Sequence, residues 1–432
     1  MLNPGDALGG GASWAVRTVR ERDILDYLLS WYLPAPRGQV QEDAARRSMS
    51  TALGRWRAMG LASAADADGL PLFDPAEVFN FAMAASVEGR DPFWLDYYAS
   101  AHAAMVASFH GPAAPIDTAP DAGDLPPRRF RVALRRDYDL SGFTAGRKIR
   151  LRLPVPIGDD CFDLEAISFA IPDAASHRTD QGRLEVQFTL ATPGIISLGF
   201  DACFVARPDQ GQQDALSADD VRLYTAPREN LIVVSPLIRQ LAQEIGGGDA
   251  AIGALVLRFY DHVNAAFLLG RVPYHALDRE WPTDWPIREG WVDCQMGSAL
   301  LCALCRAVGI PARLVSGYLL YESNLAFHYW AEIFIDGHWR PFDFLTWGLI
   351  RTLPQQGWHR AFAGRIDYRL KVQIMPKIFT GPSSMNLSPI WHNFTRREGR
   401  SLTNQFTDAP TNTLLYRDRL ELISSDLVQG EN

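Results

Sequence analysis

Three cysteines, Cys294, Cys302 and Cys305, stand within the stretch GWVDCQMGSALLCALCRAVGIPARLVSGY, Gly290–Tyr318. A thiol at the start of a helix meets unpaired backbone N–H groups and the positive end of the helix dipole, both of which favour its nucleophilic thiolate form. Cys294 fits that position. Asp293 before it is a good N-cap type, and Gly309-Ile310-Pro311 stops the helix just after Val308. Cys302 and Cys305 fall two and three turns further in, beside Leu301 and Leu304, where a cysteine behaves as a small apolar residue. Their Cys-Ala-Leu-Cys spacing matches a redox pair, but that chemistry needs its first cysteine at a helix start. No second such pair and no paired histidines lie near to complete a zinc site, so no metal is expected.

A thiol nucleophile needs a base, and the base needs a group to orient it. FHYWAEIFIDGHWRPFDF, Phe327–Phe344, supplies both as two strand-like runs joined by Asp336-Gly337, a strong two-residue hairpin signal. With Ile335 facing His338, the register carried back along the hairpin sets His328 opposite Leu345. Asp343 then becomes its diagonal neighbour on the same face. A carboxylate there accepts from one ring nitrogen and leaves the other for the thiol. A slip of one residue would send Asp343 to the opposite face. Each of these residues has an ordinary structural explanation when taken alone. In this order and facing, they make Cys294, His328 and Asp343 the candidate catalytic residues.

Gly290 and Cys294 with three residues between them, the closing Gly309-Ile310-Pro311-Ala312-Arg313 and the strand to Gly317-Tyr318 form a recurring pattern. With His328, Trp330, Glu332, Trp339 and Asp343 following, the chain resembles the transglutaminase-like thiol enzyme superfamily, in particular its bacterial members. The resemblance is strong over Gly290–Asp343 and weaker back to about residue 128. It implies an α+β, papain-like core in which a helix bearing Cys294 packs on an antiparallel sheet. It also implies that Cys294 forms an acyl-enzyme thioester, with His328 as base then acid and Asp343 as orienter. Water would then give hydrolysis and an amine a new amide. The oxyanion would be held by the Cys294 N–H and one upstream donor, for which Trp281, Trp285 and Trp291 are candidates; Arg313 and Trp330 are expected to support the core. The implied substrates are a peptide, an amine or an acyl thioester, free or presented by a carrier or partner protein, with no cofactor. Tyr329 and Phe344 depart from the family pattern, where a small residue and a proline are usual, and no DxDxDG calcium loop is present. Two alternatives stay open: a cysteine peptidase or amidase rather than an amide-forming acyltransferase, and a non-catalytic binding protein that keeps the fold.

The rest of the chain must position these groups. Residues 1–110 carry a helical period at Ile24, Tyr27, Leu28 and Trp31, resumed at Leu53, Trp56 and Met59, and read as a helical module of unknown role, such as docking. Residues 111–127, rich in Pro, Ala, Gly and Asp, read as a linker. Over 128–225 the period falls to two, as at Phe130, Val132 and Leu134, which predicts a β-sandwich. Residues 226–365 are assigned to the transglutaminase-like core, opening with a helix started by Ser235-Pro236. Residues 366–432 are expected to be a C-terminal extension packing on that core. The net charge of −8 argues against nucleic acid as a partner. Five cysteines, an odd number, do not suit a disulfide scaffold. With no basic-then-apolar leader and no long apolar run, a cytoplasmic protein without membrane partners is expected.

Overall fold

The structure is a computed structural model, and it describes residues 18–32, 39–93, 127–158, 162–173, 175–180, 182–206, 215–229, 231–247, 251–273, 277–278, 280–320, 327–344, 363–364, 369–374, 401–405 and 412–428. The 111–126 part of the expected linker, Cys161 and Leu345 lie outside the described residues.

At the N-terminal end, β1 (Val19–Arg20), α1 (Glu21–Tyr32), α2 (Gln39–Ala58), β2 (Ala64–Ala65), β3 (Pro71–Phe73) and α3 (Pro75–Val87) enclose a small core of their own. Ile24, Leu28, Leu53 and Trp56 are buried in it, the residues whose helical spacing marks them in the sequence. Asp74 caps α3 by accepting from the Ala76 N–H, and Pro75 takes the first helical position, where no N–H is missed.

The middle of the chain is all strand: β4 (Arg128–Asp139), β5 (Lys148–Pro154), β6 (Phe162–Ala170), β7 (Ser176–Asp180), β8 (Arg183–Thr189) and β9 (Ile195–Ala206). They divide between a five-stranded sheet containing β4, β9 and β6 and a three-stranded sheet β5-β8-β7. Alternate residues such as Phe130, Val132, Leu134, Leu151, Leu153 and Val186 point into one shared core, as the two-residue period of strands requires.

Next come α4 (Ala218–Tyr224), the hairpin β10 (Arg228–Glu229) and β11 (Ile232–Val233), α5 (Pro236–Gly246), α6 (Ile252–Ala266), β12 (Leu268–Leu269), α7 (Asp284–Glu289), β13 (Trp291–Val292) and α8 (Cys294–Ala307). The sheet that follows is antiparallel, in the order β16-β15-β14-β17. Its strands are β14 (Ala312–Leu319), β15 (Phe327–Ile335), β16 (His338–Phe342) and β17 (Arg369–Ile374). This is a mixed helix-and-sheet core. Helix α8 is buried from Gln295 to Arg306, as a helix apolar on all sides must be. It packs on the face of β15 that carries Tyr329, Ala331 and Ile333. The turn that returns the chain from α8 to β14 is held by Arg306, which donates twice to the Ala312 carbonyl and pairs with Glu229 at 2.7 Å. The β15–β16 turn adopts positive φ at both Asp336 and Gly337, the backbone such a hairpin requires. Its register runs Ile335↔His338 to Ala331↔Phe342.

Two expectations about the C-terminal region need correcting. β17 lies past residue 365 yet is a full strand of the core sheet, so the core does not end there. β18 (Ser401–Gln405) and β19 (Asn412–Leu427) belong to the sandwich sheet; β19 joins the edge of β4 along nearly its whole length. The physical reason is the long unpaired edge β4 would otherwise expose, which a second extended run satisfies with backbone hydrogen bonds.

Gly317 on β14 allows β17 its close approach, because a Cβ there would sit 1.8 Å from the Leu370 carbonyl oxygen. Gly317→Ala must push the β17 backbone away. We expect a loss of about 3 kcal/mol in urea unfolding, with displacement of Arg369 on β17.

Candidate active site

Cys294 is the first residue of α8. The helix start is fixed by the Asp293 carboxylate, which accepts from the Met296 N–H at 2.8 Å, and by the parallel pairing of Trp291-Val292 with Leu268-Leu269. The Cys294 sulfur reaches β15, where it accepts from the Tyr329 backbone N–H, one residue from His328. Although Cys294 keeps some surface exposure, burial of the thiol pushes it well above the ordinary cysteine range. The charges of Asp293 and Asp343 add to that rise; the Tyr329 N–H and the charge of Arg271 oppose it. This corrects the expectation of a resting thiolate. Desolvation and two neighbouring carboxylates outweigh the helix start, so the resting sulfur carries its proton.

The Asp293 side chain therefore has two separable effects. Asp293→Ala should cost about 1 kcal/mol in thermal or urea unfolding through the lost cap. Asp293→Asn keeps a capping oxygen, and should leave stability nearly unchanged while lowering the pH at which Cys294 alkylates.

His328 is fully buried on β15, opposite Gly317. Its Nε2 lies 2.8 Å from Asp343 Oδ2. Its Nδ1 is buried and has no hydrogen-bond partner among the described residues. Asp343 follows directly on β16. The same Oδ2 accepts from Arg369 Nη2, and its backbone carbonyl accepts from the Tyr260 hydroxyl at 2.8 Å. Burial pushes the Asp343 carboxyl up, but the His328 ring and the Arg369 guanidinium outweigh it and hold the carboxyl well below its usual range. Burial also lowers His328; Asp343 works against that and Arg369 with it, leaving the imidazole below its ordinary value. Near neutral pH the pair is therefore a carboxylate and a neutral ring. The ring's N–H is assigned to Nε2, since an ionised carboxylate only accepts. A bare Nδ1 lone pair remains, which is what a general base needs.

Beside this pair lies a second buried group of charges, of which the sequence marked Arg313 and Glu332 but not Lys371. Arg313 donates through Nε at 2.8 Å and Nη2 at 2.5 Å to Glu332 Oε2, and Lys371 Nζ lies 2.5 Å from Glu332 Oε1. The two cations outweigh burial and hold Glu332 down to about 2. The Arg313 guanidinium also covers the Trp339 ring at 4.0 Å. Arg369 and Lys371 come from alternate positions of β17. The only hint in the sequence is the alternation Arg-Leu-Lys-Val-Gln-Ile.

The three tryptophans expected near the oxyanion have packing places. Trp291 lies on the N-terminal core and over Gly270, Trp281 sits 5.3 Å beneath the Arg228 guanidinium, and Trp285 packs on the core around α8. Cys302 and Cys305 are buried within α8, and burial pushes Cys302 up to about 12. Among the described residues no group of three or more His, Cys, Asp or Glu side chains is placed to hold a metal, and no helix is long and apolar enough to cross a membrane.

Residues 239–344, from within α5 through Phe344, match the family model described as the transglutaminase-like superfamily. Among solved structures the chain is similar to one from Cytophaga hutchinsonii described as a cysteine protease candidate. That likeness has 15% identity and a TM-score of 0.44, and covers 70% of this chain and 93% of the other. It is also similar to the periplasmic domain of TgpA from Pseudomonas aeruginosa, with 15% identity, a TM-score of 0.31 and 56% and 93% covered. Red sea bream transglutaminase is similar at 9% identity and a TM-score of 0.22, with 62% and 58% covered. No curated protein matches the chain. Superpositions this loose assign neither substrate nor reaction.

Proposed function

Residues 239–344 are a transglutaminase-like core, and on that premise we propose that the protein is a thiol-dependent acyl-transfer enzyme. Cys294 is the nucleophile, His328 the base and then the acid, and Asp343 the group that orients the ring. The observation that carries this reading is the His328–Asp343 contact of 2.8 Å, which leaves Nδ1 bare one residue from the backbone N–H that holds the Cys294 sulfur.

The reaction begins with both partners neutral. The Cys294 proton passes to His328 Nδ1 as the sulfur attacks the acyl carbon of an amide or thioester. The imidazolium so formed is stabilised by Asp343, which need not itself take a proton. As the tetrahedral intermediate collapses, the same proton leaves on the departing amine or thiol, and the acyl group stays on Cys294 as a thioester. Water, deprotonated by His328, then releases an acid; an amine in its place gives a new amide. The substrates we propose are accordingly a peptide, an amine or an acyl thioester, free or carried by a partner protein. The four described cysteines are free thiols, which supports a reducing, cytoplasmic setting for a working thiol.

Incubation with a panel of acyl thioesters and peptide amides, with and without added amines, tests the reading by the acid or amide released. If no donor is turned over and none acylates Cys294, the chain is a binding protein that keeps the fold. The base works as the neutral ring, so activity should be full at higher pH and fall as pH drops through the His328 value. Because that value is lowered from 6.5, the acid limb of kcat/KM should lie below pH 6.5; a limb above it would contradict the burial argument.

A further inference from the structure

The strand leading to α8 is held from both sides. On one side β12 pairs in parallel with β13, and the Gly270 N–H donates to the Val292 carbonyl at 2.8 Å. Carried on by two residues, the register Leu268↔Trp291 and Leu269↔Val292 brings Arg271 level with Cys294. On the other side the N-terminal module grips the same residue. The Asn80 side chain on α3 binds the Arg271 backbone twice, accepting from its N–H at 2.6 Å and donating to its carbonyl at 3.1 Å. An amide side chain here imitates a neighbouring strand. Phe79 lies under the Arg271 guanidinium, 4.7 Å from ring centroid to charge, within the range where a ring face attracts a cation. Gly270 admits the contact, because a Cβ there would meet both the Trp291 ring and Asn80 Oδ1 within about 2.5 Å. Leu269 and Trp291 complete the seam by packing on the N-terminal core.

We propose that the N-terminal module, residues 18–93, is a wall of the active site rather than a separate docking unit. Phe79 and Asn80 act as positioning residues that hold the Arg271 charge beside Cys294, where it stabilises the negative charge that develops on sulfur. The inference rests on Cys294 being the working thiol. The charged and polar groups that act on that sulfur come from four places: Asp293 at the start of its own helix, the Tyr329 N–H on β15, Asp343 after β16, which is paired with His328, and Arg271 after β12. Asp293 and Asp343 oppose a thiolate, while the Tyr329 N–H and Arg271 favour it. Losing Arg271 leaves the Tyr329 N–H alone against two carboxylates.

The test is the pH profile of Cys294 alkylation by iodoacetamide in the full-length protein, read by peptide mass spectrometry with Cys203 as internal reference. Arg271→Gln should move the profile up by about one pH unit, so that alkylation at a fixed pH below the midpoint slows about tenfold; Arg271→Lys should restore most of it. Asn80→Leu and Phe79→Leu remove no charge, yet both should slow it in the same direction by about threefold or more. Phe79→Leu, the milder change, carries the test if Asn80→Leu fails to fold. If Arg271→Gln coincides with wild type, or if the folded Asn80 and Phe79 variants leave the profile unmoved, the proposal is overturned. His328→Ala in the same series keeps the two readings apart. Without an effect on Cys294 reactivity it sinks the acyl-transfer reading; with one, the fate of the Arg271 proposal depends on the other variants alone.

Discussion

Asp343→Asn should lower turnover by about 10² or more while leaving a folded but weakened protein. The reason is the lost charge. In the wild type, Nε2–H donates to the carboxylate and Nδ1 keeps a lone pair. Arg369 donates to the same oxygen of Asp343, so an asparagine that places its carbonyl there serves both donors and keeps the tautomer. It supplies no negative charge, and the imidazolium that forms as Cys294 gives up its proton then stands beside Arg369 without a countercharge. Removing the carboxylate also leaves the buried Arg369 without that countercharge, at a cost of about 3–5 kcal/mol. Stopped-flow acylation measures the first effect and urea unfolding the second. Retention of near wild-type acylation by the folded variant would mean that the ring does not need Asp343.

The second large effect is on stability. Glu332→Gln leaves Arg313 and Lys371 buried around a neutral amide, and should cost about 3–5 kcal/mol in urea unfolding. The sign with pH follows from the same residue. Glu332 is held at about 2 against an ordinary 4.5, so its contribution is complete above about pH 4.5 and is lost as pH falls toward 2. The wild type should weaken steeply over that window, and Glu332→Gln should weaken less. Replacing the trio together, as Arg313→Met, Glu332→Leu and Lys371→Met, should recover much of the single variant's loss, since no charge is left buried alone. A Glu332→Gln protein as stable as wild type would show that the trio is more hydrated than its burial implies.

How far each part was readable from sequence follows from how local its cause is. The β15–β16 register was legible because Asp336-Gly337 admits essentially one short turn, and every later pairing is counted from it. The helix carrying Cys294 was legible at both ends, from Asp293 and from Gly309-Ile310-Pro311. Arg369 and Lys371 were not, because they reach Asp343 and Glu332 only through the β14–β17 pairing, which no turn between neighbouring strands specifies. Arg271 was hidden for a similar reason: its neighbours Phe79 and Asn80 lie 191 residues or more away in the chain. The protonation of Cys294 was misjudged because a helix start is a local feature, whereas burial and the Asp343 charge arise only once the sheet closes over the thiol. β19 reads locally as a strand, but nothing local says that its partner is β4 rather than the core.

The most direct test of the account is single-turnover acylation by an activated acyl thioester, with the adduct located by mass spectrometry. The account predicts a stoichiometric acyl adduct on Cys294, none on Cys302, Cys305 or Cys203, no adduct in Cys294→Ala, and acylation slowed by at least about 10² in His328→Ala. An adduct spread over several cysteines, or one formed on Cys294 equally fast without His328, would contradict it.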